Sequence, residues 1–254
     1  ANSSQKACLL YLWQRPWARQ YGPAHRTAFM ATLDQLGYRD LYDSYFVTLY
    51  FANYLAHLGG RASVEQAAGY SLIIHDAQRY TYSILPPHDF RERPVDQVQW
   101  YRDWLAQAPQ SVAQRATLWI LGDQLVASEE GSNALVLQDM GVAVASNPQT
   151  LLPDPEIAGQ STFTWAAGDS TDFAGDRLVL DSGGCWNRRN TGLAATGTAG
   201  VTHRYTLGPT TGDGATVMNA NPALGWNTIM MSFSWEDLYD PPGVLPGHRK
   251  ADWV

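Results

Sequence analysis

Residues Thr117-Leu-Trp-Ile-Leu-Gly-Asp-Gln-Leu125 decide how the rest of the chain is read. Thr117–Leu121 is a short apolar run and reads as a buried strand. It runs straight into Gly122, then into a turn toward a helix. That is where a nucleophile elbow sits in α/β enzymes. An elbow needs Ser or Cys at its apex, and here Asp123 or Gln124 occupies it. An Asp can act as a nucleophile, and it can equally cap the turn.

Upstream, strands and helices alternate. Residues 7–13 form an apolar run that reads as a strand. Phe29, Met30, Leu33 and Leu36 recur at helical spacing within 24–36, and Gly37 supplies the stop. The stretch 38–51 holds a second strand around Asp40–Tyr45, and Asn53–Leu58 a short helix. Ser63, with Gln66 three residues on, has the form of a capping box. Tyr70–His75 reads as a third strand, 79–94 as a Pro-rich loop, and 95–107 as an amphipathic helix. A helix is expected around 131–140, ending at Gly141. This alternation predicts a mostly parallel sheet with crossover helices.

Downstream of about residue 142 the pattern changes. Gly, Thr, Ser and Asp increase, and short strands are expected at 161–165, 177–180, 201–207, 214–219 and 227–233. The expectation is one α/β domain over 1–254. Residues 1–141 form its alternating core, and 142–254 a β-rich extension that completes the sheet. His248–Asp252 has the look of a further helix start. An N-terminus without Met suggests a piece of something longer.

Composition narrows the function classes. The chain has 254 residues, 45% of them hydrophobic and 16% charged, and a net charge of −7. That excludes disorder as the main state. An acidic chain with no basic run is a poor nucleic-acid binder. No run approaches the ~20 apolar residues of a membrane helix. Ten Trp suit a large core, or surfaces that bind sugars or partners.

Several clusters invite chemistry. In open α/β sheets ligands collect at the carboxyl ends of the strands. There the candidate catalytic residues are Asp123, His75 and Glu236. His75-Asp76 and His88-Asp89 have donor types that can bind a metal, but each pair reads more simply as a solvated His beside an Asp. No metal is assigned. Asp169, Asp172, Asp176 and Asp213 sit in turns that could hold Ca²⁺, or be ordinary Asx turns. The loop Gly183–Asn190 offers Trp186, Arg188 and Arg189 as a partner or glycan contact. Cys8 and Cys185 form either one long-range disulfide or two thiols. No Gly-x-Ser-x-Gly occurs.

Four motifs, Tyr38-Arg-Asp-Leu-Tyr-Asp43, Gly69-Tyr-Ser-Leu-Ile-Ile74, Trp119-Ile-Leu-Gly-Asp-Gln124 and Gly225-Trp-Asn-Thr-Ile-Met-Met-Ser-Phe233, carry a resemblance over most of the chain. They resemble the class I glutamine amidotransferase-like fold, and more narrowly its non-catalytic members in large secreted bacterial proteins. The resemblance implies a three-layer, flavodoxin-like α/β sandwich. The catalytic amidotransferases have Gly-x-Cys-x-Gly at the elbow, where this chain has Gly122–Val126. Their last sheet strand ends in Phe-His-Pro-Glu, where this chain has Phe233-Ser-Trp-Glu236. Cys and His are both missing, so the route to a glutamyl thioester is missing too.

The expected function is therefore a non-catalytic structural or interaction module of a secreted or cell-surface bacterial protein. Its expected partners are other domains of a longer parent chain or separate proteins, with homo-oligomers among the options and no cofactor. Two alternatives stand beside it: a self-assembling filament or surface-layer subunit, and a hydrolase with an unrecognised site at the strand ends.

Overall fold

Leu118 and Ile120 alternate with Trp119 and Leu121, so the strand they form buries both its faces, as the interior strand of a parallel sheet must. The computed structural model describes residues 8–13, 28–46, 63–76, 97–107, 115–122, 134–146, 164–168, 177–180, 191–206, 211–233 and 235. Its strands are β1 Leu9–Trp13, β2 Tyr42–Phe46, β3 Leu72–Asp76, β4 Ala116–Leu121, β5 Val142–Ser146, β6 Thr164–Gly168, β7 Arg177–Leu180, β8 Gly192–Ala195, β9 Gly200–Tyr205, β10 Gly214–Asn221 and β11 Trp226–Met231. Among the described residues the helices are α1 Ala28–Gln35, α2 Val64–Ala67 and α3 Gln97–Gln107, with a π-helical turn at Leu135–Asp139.

The sheet order is β2-β1-β3-β4-β11-β10-β9-β6-β7. From β2 to β11 every neighbour is parallel, and from β11 onward the pairs are antiparallel. The sheet forks at Gly214, which pairs with both Arg204 of β9 and Leu193 of β8, and β8 in turn carries β5. The result is a three-layer α/β sandwich with a parallel core and added β-strands.

One face packs under α1 through Phe29, Met30 and Leu33 against Tyr11, Ile74, Trp119 and Met231. The other packs under α2, α3 and the π turn through Ala67, Tyr101, Trp104 and Leu135 against Leu10, Ile73, Leu118 and Met230. The Trp104 Nε1–H donates to the Ala67 carbonyl at 3.0 Å, so α3 is tied to α2 by a buried bond as well as by apolar area.

Local signals set the ends of several elements. Ser63 and Gln66 form the reciprocal capping box of α2. Gly37 takes φ +85° after α1. Its N–H reaches Asp34 O at 3.1 Å, and the Tyr38 N–H reaches Leu33 O at 2.9 Å. Those two bonds make a Schellman stop, which a glycine in the left-handed region allows without strain.

Three expectations are corrected. The helix expected at 131–140 is helical over its described residues 134–139, but as a π turn at Leu135–Asp139 rather than an α-helix. Strands β5 and β8 are absent from the sequence reading. Gly-Leu-Ala-Ala has no β-branched or aromatic residue, and Val-Ala-Val-Ala-Ser has two Val but no aromatic, so pairing with neighbours weighs more than propensity in these short strands. The strand expected at 161–165 lies at Thr164–Gly168, where pairing to β7 and β9 fixes it. The short helix at 53–58, the loop at 79–94 and the start at 248–252 lie outside the described residues.

Gly141 ends the π turn at φ +64°, and a Cβ there would lie 2.7 Å from both Ala199 Cβ and Thr196 O. Gly141→Ala therefore combines left-handed strain with overpacking against backbone. It should cost about 2 kcal/mol, measured by urea unfolding against the parent chain.

Candidate functional site

The chain passes from β1 to β2 on one side, then to β3 on the other, so the topological switch lies between the carboxyl ends of β1 and β3. That is where open α/β sheets place ligands. The last register pair there is Trp13↔Asp76. Beside it β4 ends at Leu121, and the Gly122 N–H donates to Met231 O at 3.3 Å, which extends the pairing of β4 with β11 by one residue.

Asp76 and Trp13 are buried at this end, and so is His75. Side chains alternate along β3, and the contacts show the two polar groups on opposite faces. The Asp76 carboxylate accepts from the Tyr11 hydroxyl at 2.6 Å, on the α1 side. The His75 Nδ1 meets the Tyr101 hydroxyl of α3 at 2.5 Å, on the other. His75 and Asp76 are thus kept from one metal ion or one reacting atom by the sheet itself. No group of three or more His, Cys, Asp or Glu that could hold a metal ion occurs among the described residues.

The last parallel strand, β11, leads into Ser232. This serine is buried, and its Oγ meets the Tyr205 hydroxyl at 2.8 Å and Ala215 O at 3.2 Å. Trp235, also buried, donates its Nε1–H to Thr32 Oγ1 of α1 at 3.1 Å. Its ring meets Phe29 edge-on at 4.8 Å and Trp119 at 5.9 Å, so an aromatic cage backs this end of the sheet.

Of the other sequence candidates, Asp123, Glu236, Trp186, Arg188, Arg189, Cys185, His88, Asp89, Asp169, Asp172 and Asp176 lie outside the described residues. Cys8 is an exposed free thiol next to β1. Asp213 accepts from the Ser146 hydroxyl over Gly192, a contact that ties β5 to the hairpin leading into β10.

The sequence reading missed a second polar assembly, at the opposite end of the strands. Gln99, Arg102 and Asp103 of α3 face Asp139, Leu224 and Trp226 across a cleft of about 410 Å³. Arg102 Nε donates to Asp139 Oδ2 at 2.7 Å, and Gln99 Nε2 to Asp103 Oδ1 at 2.6 Å. Burial holds the Asp139 carboxyl above the usual carboxylate range, although Arg102 pulls it down. The Asp139 backbone carbonyl accepts from Asn219 Nδ2 at 2.8 Å, so β10 fixes the end of the π turn. The available signal was the spacing of Gln99, Arg102 and Asp103 along α3, one polar face of a helix.

No family model and no curated protein matches the chain. Solved structures with a similar overall shape include a catalytic mutant of a GH42 β-galactosidase from G. stearothermophilus, at 14% identity and a TM-score of 0.46, covering 89% of this chain and 27% of that one. The cold-adapted β-galactosidase from Rahnella sp. R3 aligns at 11% identity and a TM-score of 0.49, covering 90% and 29%. A protein described as ThuA-like, from Bacteroides uniformis, aligns at 8% identity and a TM-score of 0.47, covering 97% and 89%. The chain spans less than a third of the length of these β-galactosidase chains.

Proposed function

We propose that the chain is a non-catalytic structural or interaction module of a secreted or cell-surface bacterial protein, built on an amidotransferase-like sandwich. One observation carries this reading. His75, the only one of the three candidate catalytic residues in the described part, is fully buried and held at Nδ1 by Tyr101. A general base must come within hydrogen-bond reach of its substrate, and this imidazole is packed into the core beneath α3. The sequence adds the missing Cys and His of the amidotransferase pattern. The partners are other domains of the parent chain or separate proteins. Among the described residues no helix is long and apolar enough to cross a membrane.

The test is a turnover assay on the purified chain, with glutamine, an activated ester and an activated glycoside as substrates, beside Asp123→Asn and Glu236→Gln. The expected result is the uncatalysed rate in all three proteins. Turnover by the parent chain that falls at least about a hundredfold in either variant, the usual worth of an acid or base group, overturns the reading in favour of a hydrolase. Light scattering over a concentration series separates the module from the filament alternative. A mass independent of concentration is expected, and open-ended growth would replace the module with a self-assembling subunit.

A further inference from the structure

The cleft between α3, the π turn and the β10–β11 hairpin has no part in the role proposed above. Its volume, about 410 Å³, falls within the roughly 300–1,000 Å³ of small-molecule sites. Its floor is built. Trp226 is the first residue of β11 and belongs to the core, and Asp139 is pinned through both its side chain and its carbonyl. The rim is open: Leu224, at the hairpin tip, is 52% exposed.

The polar groups supply both acceptors and donors. Asp103 uses one oxygen for Gln99, and Asp139 uses one for Arg102. That leaves Asp103 Oδ2 and Asp139 Oδ1 as further acceptors and the Arg102 Nη groups as further donors in one cleft. A cationic ligand would have to compete with the Arg102 guanidinium already paired to Asp139, and an anionic one would meet the net negative charge that two carboxylates and one guanidinium leave. A neutral ligand with neighbouring hydroxyls satisfies both, because each hydroxyl donates and accepts. Leu224 and the edge of Trp226 supply an apolar wall for its carbon face.

We propose that this cleft binds a neutral polyhydroxylated ligand of monosaccharide size, such as the end of a glycan, held by Asp103, Arg102 and Asp139 against Trp226 and Leu224.

The experiment titrates the full chain calorimetrically with methyl glucoside, methyl galactoside and methyl mannoside, and with methylammonium and acetate as charged probes. Saturable binding of at least one glycoside is expected, with no comparable binding of either ion. Asp103→Asn keeps the oxygen that Gln99 donates to and replaces the other acceptor with a donor. It should weaken glycoside binding about tenfold, the worth of one hydrogen bond to a charged group. Circular dichroism checks that the variant folds, and if it does not, Leu224→Ala carries the same test with an expected loss of about threefold. No binding of any glycoside, binding unchanged in the folded variant, or tighter binding of methylammonium or acetate overturns the proposal.

Discussion

Phe29→Ala should cost the protein about 4 kcal/mol, close to the cost of emptying a fully buried aromatic site. Phe29 is completely buried on α1. Its ring stacks on Tyr11 of β1 at 5.1 Å with planes 9° apart, and meets Trp119 of β4 edge-on at 5.6 Å and Trp235 at 4.8 Å. Three rings from separate parts of the chain converge on this one side chain. Aromatic pairs contribute about 0.5–1.5 kcal/mol each beyond their buried area. The cavity cannot close easily, because Trp235 is also bonded to Thr32 and Tyr11 to Asp76. Against a total stability of about 5–15 kcal/mol, the loss should lower the melting temperature by about 10 °C. Guanidinium unfolding measures the cost, and near-ultraviolet circular dichroism reports the rearranged tryptophans. A loss under about 1 kcal/mol would mean that α1 is held some other way.

The second large effect is a loss of stability in mild acid. His203 on β9 is 2% exposed, and burial pushes its pKa down from 6.5 to about 4. Its Nδ1 lies 3.0 Å from Thr202 Oγ1. The unfolded chain therefore binds a proton at this residue at a pH where the folded protein refuses it. The stability that the neutral imidazole provides is complete above about pH 6.5 and is lost as pH falls toward 4. The full difference is about 3 kcal/mol. Asp139 works in the opposite sense. Its raised pKa means the folded state holds the proton more tightly, so acid removes a cost there. Comparing the parent chain with His203→Gln separates the two. Urea unfolding at pH 7 and pH 4.5 should show the parent losing about 2 kcal/mol more than the variant. Equal losses would place the imidazole in water in the folded state.

The alternating half was legible because its signals are local. The apolar runs of β1, β3 and β4, the Gly37 stop and the Ser63–Gln66 box each act within a few residues. The β-rich half was less so. β5 and β8 are short and Ala-rich, with only Val142, Val144 and Leu193 as larger apolar residues, and they are placed where Gly192 leaves room for the Ser146–Asp213 contact and Gly214 for the Leu193 carbonyl. Such a contact joins residues far apart in sequence. At the site, His75 was legible as a strand-end histidine. Its burial was not, because Tyr101 lies 26 residues away on another element. The pairing of Tyr11 with Asp76 was hidden by a separation of 65 residues. The α3 cleft was missed because Arg102 and Asp103 look like an ordinary solvated helix face until Asp139 and the β10–β11 hairpin are brought against them.

The placement of β11 sets the order in which the molecule can be made. Ala116 of β4 pairs with Trp226, about 110 residues later in the chain. At the usual ~5–20 residues per second of synthesis, β4 leaves the ribosome roughly ten seconds before its neighbour exists. Through that interval a hydrophobic strand edge stands open in the nascent chain, the kind of edge that invites pairing with other chains. The two halves of the sheet join only when β11 slides between β4 and β10, which makes this late strand the keystone of assembly. Overproduction at low temperature, or with a holdase chaperone to cover the waiting edge, should raise the yield of native protein more than any substitution on its finished surface.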